Sequence, residues 1–232
     1  MRLDRSLIAE LPSFAGIKGE DLDFILSMAQ SQLLPKDAEV FQQDDEANRF
    51  FLLLSGHIRV LRMTPDGERV IARYINEGEL FGIAVALGRS TYPASAVTVD
   101  DCVVLSWPQS AWAEIQSRVP AFGANAYRTI GTRLQETQMR VVQMSTQQVE
   151  QRIAGAVMRL ANQTGLKTQE GIEIGFPITR QEIAEMTGTT LYTVSRVLSA
   201  WEQQGIVRSS RQRVVVTNPH ALFLLSENRR QK

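Results

Sequence analysis

The 232-residue sequence has one cysteine and two histidines. Cys102 alone can form no internal disulfide. It also cannot hold an iron–sulfur cluster within one chain, because such clusters need about four thiolates. With only His57 and His220, neither metal-ligand spacing nor a nucleophile–base constellation is present, so an enzyme is not expected. No stretch reaches the roughly 18–20 apolar residues of a membrane span, although 44% of residues are hydrophobic, enough for packed cores. The start, MRLDRSLIAELPSF, carries acidic residues and no long apolar run, unlike a signal peptide. A cytoplasmic location and no membrane partner are expected. The neighbours of Cys102 (Val103, Val104, Leu105) predict a buried strand position for a small core residue.

An excess of charge is missing too: the net charge is zero. The balance is uneven, however. Residues 1–144 carry 14 Lys/Arg against 18 Asp/Glu, and residues 145–232 carry 11 against 7. The basic part contains the most informative stretch, Thr179–Gly205, TRQEIAEMTGTTLYTVSRVLSAWEQQG. It reads as two short helices joined by a tight turn. Thr179 and Glu182 fit a capping box. Ile183 and Ala184 face inward, and Gly188 supplies a turn needing positive φ. Thr190 can cap the second helix. On that helix Val194, Val197, Leu198 and Trp201 form an apolar stripe. Tyr192, Ser195, Arg196 and Ser199, at i, i+3, i+4, i+7, form a hydrogen-bonding face. Past Gly205, Arg208-Ser-Ser-Arg-Gln-Arg213 followed by Val214–Val216 reads as a basic hairpin, a wing.

Any two-helix hairpin of an all-α domain shares the bare spacing. The polar face and the basic wing favour double-stranded DNA, with the second helix in the major groove. Arg196 is the candidate for bidentate readout of guanine O6 and N7, with Ser195 and Tyr192 on neighbouring bases. Thr179, Arg180, Gln181 and Thr190 lie at helix starts, where side chains and free N–H groups meet phosphate. Ser199, Arg208, Arg211 and Arg213 complete the backbone set. For Arg180 and the wing arginines, a solvated surface charge is the alternative.

Towards the N-terminus, residues 3–34 read as helical, with Leu22, Ile25, Leu26 and Ala29 at helical spacing. Gly16-Ile-Lys-Gly19 interrupts this region and Pro35 ends it. From Glu39 to Trp107 the period becomes two. Phe50–Leu54, Ile58–Arg62, Glu68–Ile75, Ser95–Val99 and Cys102–Trp107 read as strands. Ser55-Gly56, Thr64-Pro-Asp-Gly67 and Asp100-Asp101 read as turns. The spacing predicts an antiparallel barrel or sandwich. Pro108 is expected in the first turn of a short helix, Gln109–Ser117, closed by Pro120. Tyr127, Ile130, Leu134, Thr137, Val141 and Met144 then follow a 3-4-3-4-3 spacing flanked by Arg128, Arg133, Glu136 and Arg140. This is an a/d seam for a two-stranded contact between copies; a helix packed on its own barrel is the alternative. Ser145-Thr-Gln-Gln148 reads as a capping box at a hinge. A helix follows over Val149–Asn162 with Val149, Ile153, Ala156, Val157 and Leu160 inward, ended by Thr164-Gly165. Ile172–Ile174 is expected as a short strand, the tail from Pro219 as a helical remnant, and residues 228–232 as disordered.

The phrases TRQEIA, TVSR and WEQQGIV resemble the helix-turn-helix of the CRP/FNR family of bacterial transcription regulators. LPKDAEVFQQ, FFLLLSGHIRVLR and EGELFG resemble that family's effector domain. The resemblance covers almost the whole chain and implies an α+β fold. It consists of an antiparallel β-roll like that of cyclic-nucleotide-binding proteins with flanking helices (1–119), a long dimerisation helix (120–145) and a winged helix-turn-helix (146–232). It further implies a homodimer reading an inverted repeat, with half-sites about 34 Å apart, and RNA polymerase as a partner. Two departures matter. Asp44 stands where the family usually has Gly before a turn. Tyr192 replaces the Glu of the common E-x-x-S-R pattern, whose Ser and Arg are matched by Ser195 and Arg196. A phenol accepts less well than a carboxylate from cytosine N4, so a half-site related to the TTGA type, but not identical with it, is expected.

The resemblance leaves the effector open. In the cyclic-AMP branch a Glu contacts the ribose and an Arg-Ser pair holds the cyclic phosphate. Aligned on EGELFG, those positions fall at Ile83 and at Pro93-Ala94, so cyclic AMP by the usual mode is not expected. The iron–sulfur branch is excluded by the cysteine count. The histidine of the haem branch falls near Ala84, which leaves His57, expected to be exposed after its hairpin Gly, as the candidate haem ligand. TGTTLYTVSR and YPASAV most resemble the denitrification and nitric-oxide-responsive (NnrR/DNR-type) branch, which implies nitric oxide sensing with haem as candidate cofactor. An apolar pocket of Phe81, Gly82, Ile83, Val85 and Leu87, against the long helix, would suit haem or no ligand. The alternatives are a cyclic-nucleotide-type module controlling a protein partner, and a family member with no small effector.

Overall fold

In a computed structural model, which describes residues 4–227, the chain folds as two units. One takes in the chain up to Gly67 and Ala72–Glu136; the other takes in Glu68–Ile71 and the chain from Thr137. The expectation of disorder at 228–232 lies outside the described residues.

The first unit opens with two 3-10 turns and α1 (Gly19–Ser27). Eight strands follow: β1 (Gln30–Leu34), β2 (Glu39–Phe41), β3 (Arg49–Ser55), β4 (Ile58–Met63), β5 (Arg69–Ile75), β6 (Leu80–Phe81), β7 (Ser95–Thr98) and β8 (Cys102–Pro108). They form two four-stranded sheets, β1-β8-β3-β6 and β2-β7-β4-β5. Helices α2 (Ala111–Arg118) and α3 (Pro120–Thr146) complete this part of the chain. The run Phe50–Leu53 in β3 is buried at every position because both faces of its sheet are covered. Strand alternation then divides the apolar residues. Phe50 and Leu52, with Leu105 and Trp107 of β8, join the side chains of α1, α2 and α3. Phe51 and Leu53, with Cys102 and Val104, fill the roll between the sheets. Trp107 stacks on Phe50 at 5.3 Å and donates its indole N–H to the Ile25 carbonyl at 2.8 Å, which docks α1 on the sheet.

Four local expectations change. The helix expected to run to Leu34 stops at Ser27, and Gln30–Leu34 instead pairs with β8, Gln30 opposite Ser106. Pro108 ends β8 rather than entering a helix, and Pro120 opens α3 rather than closing α2; a first-turn position suits a residue with no N–H. The cap after the long helix lies three residues later than expected. Gln148 and Gln151 form the capping box, whereas Ser145 bonds back to the Val141 carbonyl within α3. Arg133, expected to flank the dimer seam with charge, turns to its own roll. It donates to the Leu80 carbonyl and the Glu79 carboxylate, and burial pulls its guanidinium down to about 10. Asp44, the departure from a family glycine, takes the left-handed turn itself, φ 70°, a conformation that short polar side chains tolerate.

The second unit holds α4 (Val149–Thr164), β9 (Leu166–Thr168), β10 (Gly171–Glu173), α5 (Arg180–Thr187), α6 (Leu191–Gln203), β11 (Val207–Ser210), β12 (Arg213–Val216) and α7 (Pro219–Ser226). Its strands form one sheet, β11-β12-β10-β9. The core combines Ile153, Ala156, Val157 and Leu160 of α4, Ile183 and Ala184 of α5, and Val194, Leu198 and Trp201 of α6, all buried. Strand β9 was absent from the sequence expectation; at three residues, all exposed, it carries no periodic signal. Among the described residues no helix is long and apolar enough to cross a membrane.

Candidate nucleic-acid interface

The helix pair is fixed by local hydrogen bonds. Thr179 Oγ1 accepts from the Glu182 N–H at 3.1 Å, and the Glu182 carboxylate accepts from the Thr179 N–H at 2.8 Å. Gly188 takes φ 61°, and a Cβ there would lie 2.4 Å from Met144 Cε. The left-handed conformation favours glycine at this turn, since the Met144 methyl is the end of a flexible side chain and can move aside. Thr190 Oγ1 accepts from the Thr193 N–H at 3.2 Å and starts α6.

On α6 the apolar stripe is buried, and the opposite face is open. Tyr192 is 78% exposed. Arg196 is exposed, and Ser195 and Ser199 are half-buried. Thr179, Arg180, Gln181, Leu191, Ser210 and Arg211 line an open concavity of about 380 Å³. It brings together the starts of both helices and the tip of the β11–β12 wing. Two helix N-termini with free N–H groups, beside cationic side chains, make an anion site that matches a phosphate backbone.

The predicted cations differ in state. Arg180 donates to Ser209 Oγ at 2.8 Å and lies 3.8 Å from Glu202. Glu202 in turn accepts from the Ser209 N–H, tying the end of α6 to the wing. Arg208 meets Glu170 at 2.8 Å. Arg213 meets Glu173 through two bonds, 2.6 and 2.7 Å. Those bonds hold the Glu173 carboxyl below the usual carboxylate range and lift the Arg213 guanidinium above its own. Arg196 and Arg211 have no acidic or hydrogen-bonding partner among the described residues. Leu191, 47% exposed at the start of α6, is a site residue that sequence reasoning missed.

The seam residues of α3 separate into two groups. Ile130 is half-buried and packs against the first unit's core. Tyr127, Leu134, Val141 and Met144 are exposed, as is Thr137. Leu134 and Val141 are 57% and 62% exposed, high for large apolar side chains on one helix face.

The positions expected to line an effector pocket do not converge. Phe81 belongs to the core of the roll, stacked near Phe51 and Phe41. Ile83 belongs to the other core, with Val85 packed against it. Leu87 is exposed, and Gly82 takes φ 64° where a Cβ would strike Phe51. His57 is not the exposed residue that its hairpin suggested. Its side chain is 18% accessible, and Nδ1 lies 2.8 Å from the Asp100 carboxylate. It sits past the Ser55 end of β3, away from the Phe51–Phe81 pair. Haem does not fit this arrangement: the candidate ligand and the expected apolar pocket lie apart.

Comparison with known proteins matches both units. A cyclic nucleotide-binding domain model covers residues 31–118, and a Crp-like helix-turn-helix domain model covers residues 151–224. The sequence is 31% identical to a cyclic AMP receptor protein of Thermus thermophilus over 197 residues, 85% of this chain and 88% of that protein. It is 24% identical to the nitrogen fixation regulation protein FixK of Azorhizobium caulinodans, covering 85% of this chain and 79% of that one. Among solved structures, FixK2 from Bradyrhizobium japonicum superposes with a TM-score of 0.75 at 22% identity, over 85% of this chain and 96% of that one.

Proposed function

The chain belongs to the CRP/FNR family of DNA-binding transcription regulators, and from that premise we propose that it acts as a homodimer reading an inverted repeat through α6. The observation that carries the proposal is the meeting of both helix N-termini and the wing tip at one concavity beside the open Tyr192–Arg196 face. Arg196 reads guanine, Tyr192 and Ser195 read its neighbours, and Leu191 offers an apolar surface to a thymine methyl. Thr179, Arg180, Gln181, Thr190 and Arg211 hold phosphates and set the register. The exposed Leu134–Val141 stripe of α3 supplies the contact between copies, which fixes half-site spacing. Regulation then runs through contact with RNA polymerase. Selection from random duplexes tests the whole reading. The expected product is a two-fold repeat with half-sites about one helical turn apart, related to TTGA but relaxed where Glu would have read cytosine. Enrichment of a single unrepeated site, or of none, would overturn it.

For the β-roll, the proposal is a sensor that does not use cyclic AMP in the usual way. Several relatives carry cyclic AMP in their names. In this chain, however, the ribose position is the buried Ile83, and the phosphate position, Pro93-Ala94, offers no cation. An effector of any kind must bind the DNA-competent state better than the other. Nitrogen-oxide responsiveness, drawn from the TGTTLYTVSR and YPASAV resemblance, remains part of the proposal without haem at His57. Titration with cyclic AMP is expected to give no saturable heat. Anaerobic protein with added haem, and then nitric oxide, is expected to give no stoichiometric Soret band. A band abolished by His57→Ala would restore haem.

A further inference from the structure

The wing was expected to contribute three free cations, and the structure leaves it with one. Arg208, Val215 and Glu173 stand in one cross-strand row of the β11-β12-β10 sheet. Arg213, two residues from Val215, shares that face. Glu170 sits at the adjoining β9–β10 turn and meets Arg208 at 2.8 Å and Arg213 at 3.8 Å, while Glu173 holds Arg213 through two bonds. Of the three wing arginines, only Arg211, at the hairpin tip between Ser210 and Arg213, has no partner among the described residues. The arrangement is made by a hairpin that lies outside the helix-turn-helix in sequence and beside the wing in the sheet.

We propose that Glu170 and Glu173 set DNA specificity by masking Arg208 and Arg213 from phosphate, so that sequence-independent affinity stays low and base readout by α6 decides where the protein binds. The reasoning is electrostatic. Sequence-independent binding to duplex DNA comes from cations that displace condensed counterions. A guanidinium bonded to carboxylates contributes little to this. If it leaves them for a phosphate, two carboxylates remain next to the DNA and repel it. Either way the net charge of the wing face is what the duplex meets. Base-edge contacts are unaffected, because Arg196 and Tyr192 lie on α6 and not on the wing. The ratio of specific to non-specific affinity therefore rises as the non-specific term falls.

The inference rests on the DNA-binding reading above, and its test keeps the two apart. The full-length protein is titrated with a random-sequence duplex at several salt concentrations, and the slope of log affinity against log salt is measured. Four proteins form a cycle: wild type, Glu170→Gln/Glu173→Gln, Arg208→Gln/Arg213→Gln, and all four substitutions together. Removing the carboxylates is expected to steepen the slope by up to about 1.8, two phosphates at about 0.9 each, and to tighten random-sequence binding. Removing the arginines alone is expected to leave the slope nearly unchanged, and the quadruple variant returns to it. If the arginine pair alone flattens the slope by the full amount, those side chains already sit on phosphate and the masking idea falls. It also falls if the glutamine pair leaves the slope unchanged, or if its gain survives in the quadruple variant. A wild-type slope near zero would instead overturn the DNA-binding reading itself, and this inference with it.

Discussion

Trp201, fully buried in α6, donates its indole N–H to the Glu150 carboxylate of α4 at 3.1 Å. The polar face of α6 points outward because the opposite face is anchored, and this bond fixes the helix's rotation as well as its depth. A buried N–H without an acceptor is costly, whereas one with a charged acceptor is strongly oriented. The bond links the first helix of the second unit to the helix that carries Arg196, across 51 residues of chain.

Glu150→Ala leaves the indole N–H unsatisfied, and we expect the second unit to lose about 1–3 kcal/mol of stability in urea melts. Glu150→Gln keeps a neutral acceptor and should lose less than half of that. Equal losses for the two variants would show that the hydrogen bond does not matter and that Glu150 acts through packing alone.

Arg196→Ala and Arg211→Ala should separate base readout from backbone binding. Removing Arg196 is expected to cost about 1–3 kcal/mol on the selected site and to relax preference at one base pair per half-site. Removing Arg211 should weaken all sequences alike and reduce the salt slope by about 0.9. Tyr192→Glu, which restores the common pattern, should shift selection towards the TTGA type. A selected site unchanged by both Arg196→Ala and Tyr192→Glu would remove α6 from the role of reader.

The parts of this site that were legible in the sequence are those made by short-range bonds. The Thr179–Glu182 box, the Gly188 turn and the Thr190 cap each close within four residues, so the residue types alone specify them. The apolar stripe of α6 was legible for the same reason. What was not legible depends on partners far along the chain. Strand β1 shows exposed residues at four of its five positions, and only pairing with β8 makes it a strand. The engagement of Arg213 by Glu173 joins residues 40 positions apart, so the wing looked more cationic than it is. Arg133 looked like a seam residue because its spacing on α3 says nothing about the Glu79 carboxylate waiting in the roll.

The α3 stripe gives a test of assembly. Leu134→Lys/Val141→Lys puts two charges on the exposed face of a helix whose buried side chains, Phe122 and Ala126, lie near its other end. The variant should keep its helical circular dichroism, sediment as a monomer, and bind a two-fold site no better than one half-site doubled in concentration. A variant that still sediments with the wild-type mass would place the contact between copies elsewhere.

Cys102 offers a prediction about pH. Its thiol is fully buried, with Sγ 3.4 Å from the His57 carbonyl and 3.3 Å from the Asp100 carbonyl. Burial, reinforced by the nearby Asp100 carboxylate, pushes it from its ordinary value of 9.0 up to about 11. The folded state thus holds the thiol proton more tightly than the unfolded chain does. That contribution to stability is fully present below pH 9.0 and is lost as pH rises through about 11. The stability difference between wild type and Cys102→Ala should therefore shrink across that window and stay flat below it. Iodoacetamide should label the native protein slowly at pH 8 and the urea-unfolded chain rapidly, because the thiolate is the reactive form. Fast labelling of native protein near neutrality would mean an accessible thiolate, and with it a candidate redox sensor. A thiol that stays protonated inside the roll cannot serve as one, and any oxidant response of this regulator must then enter through another group.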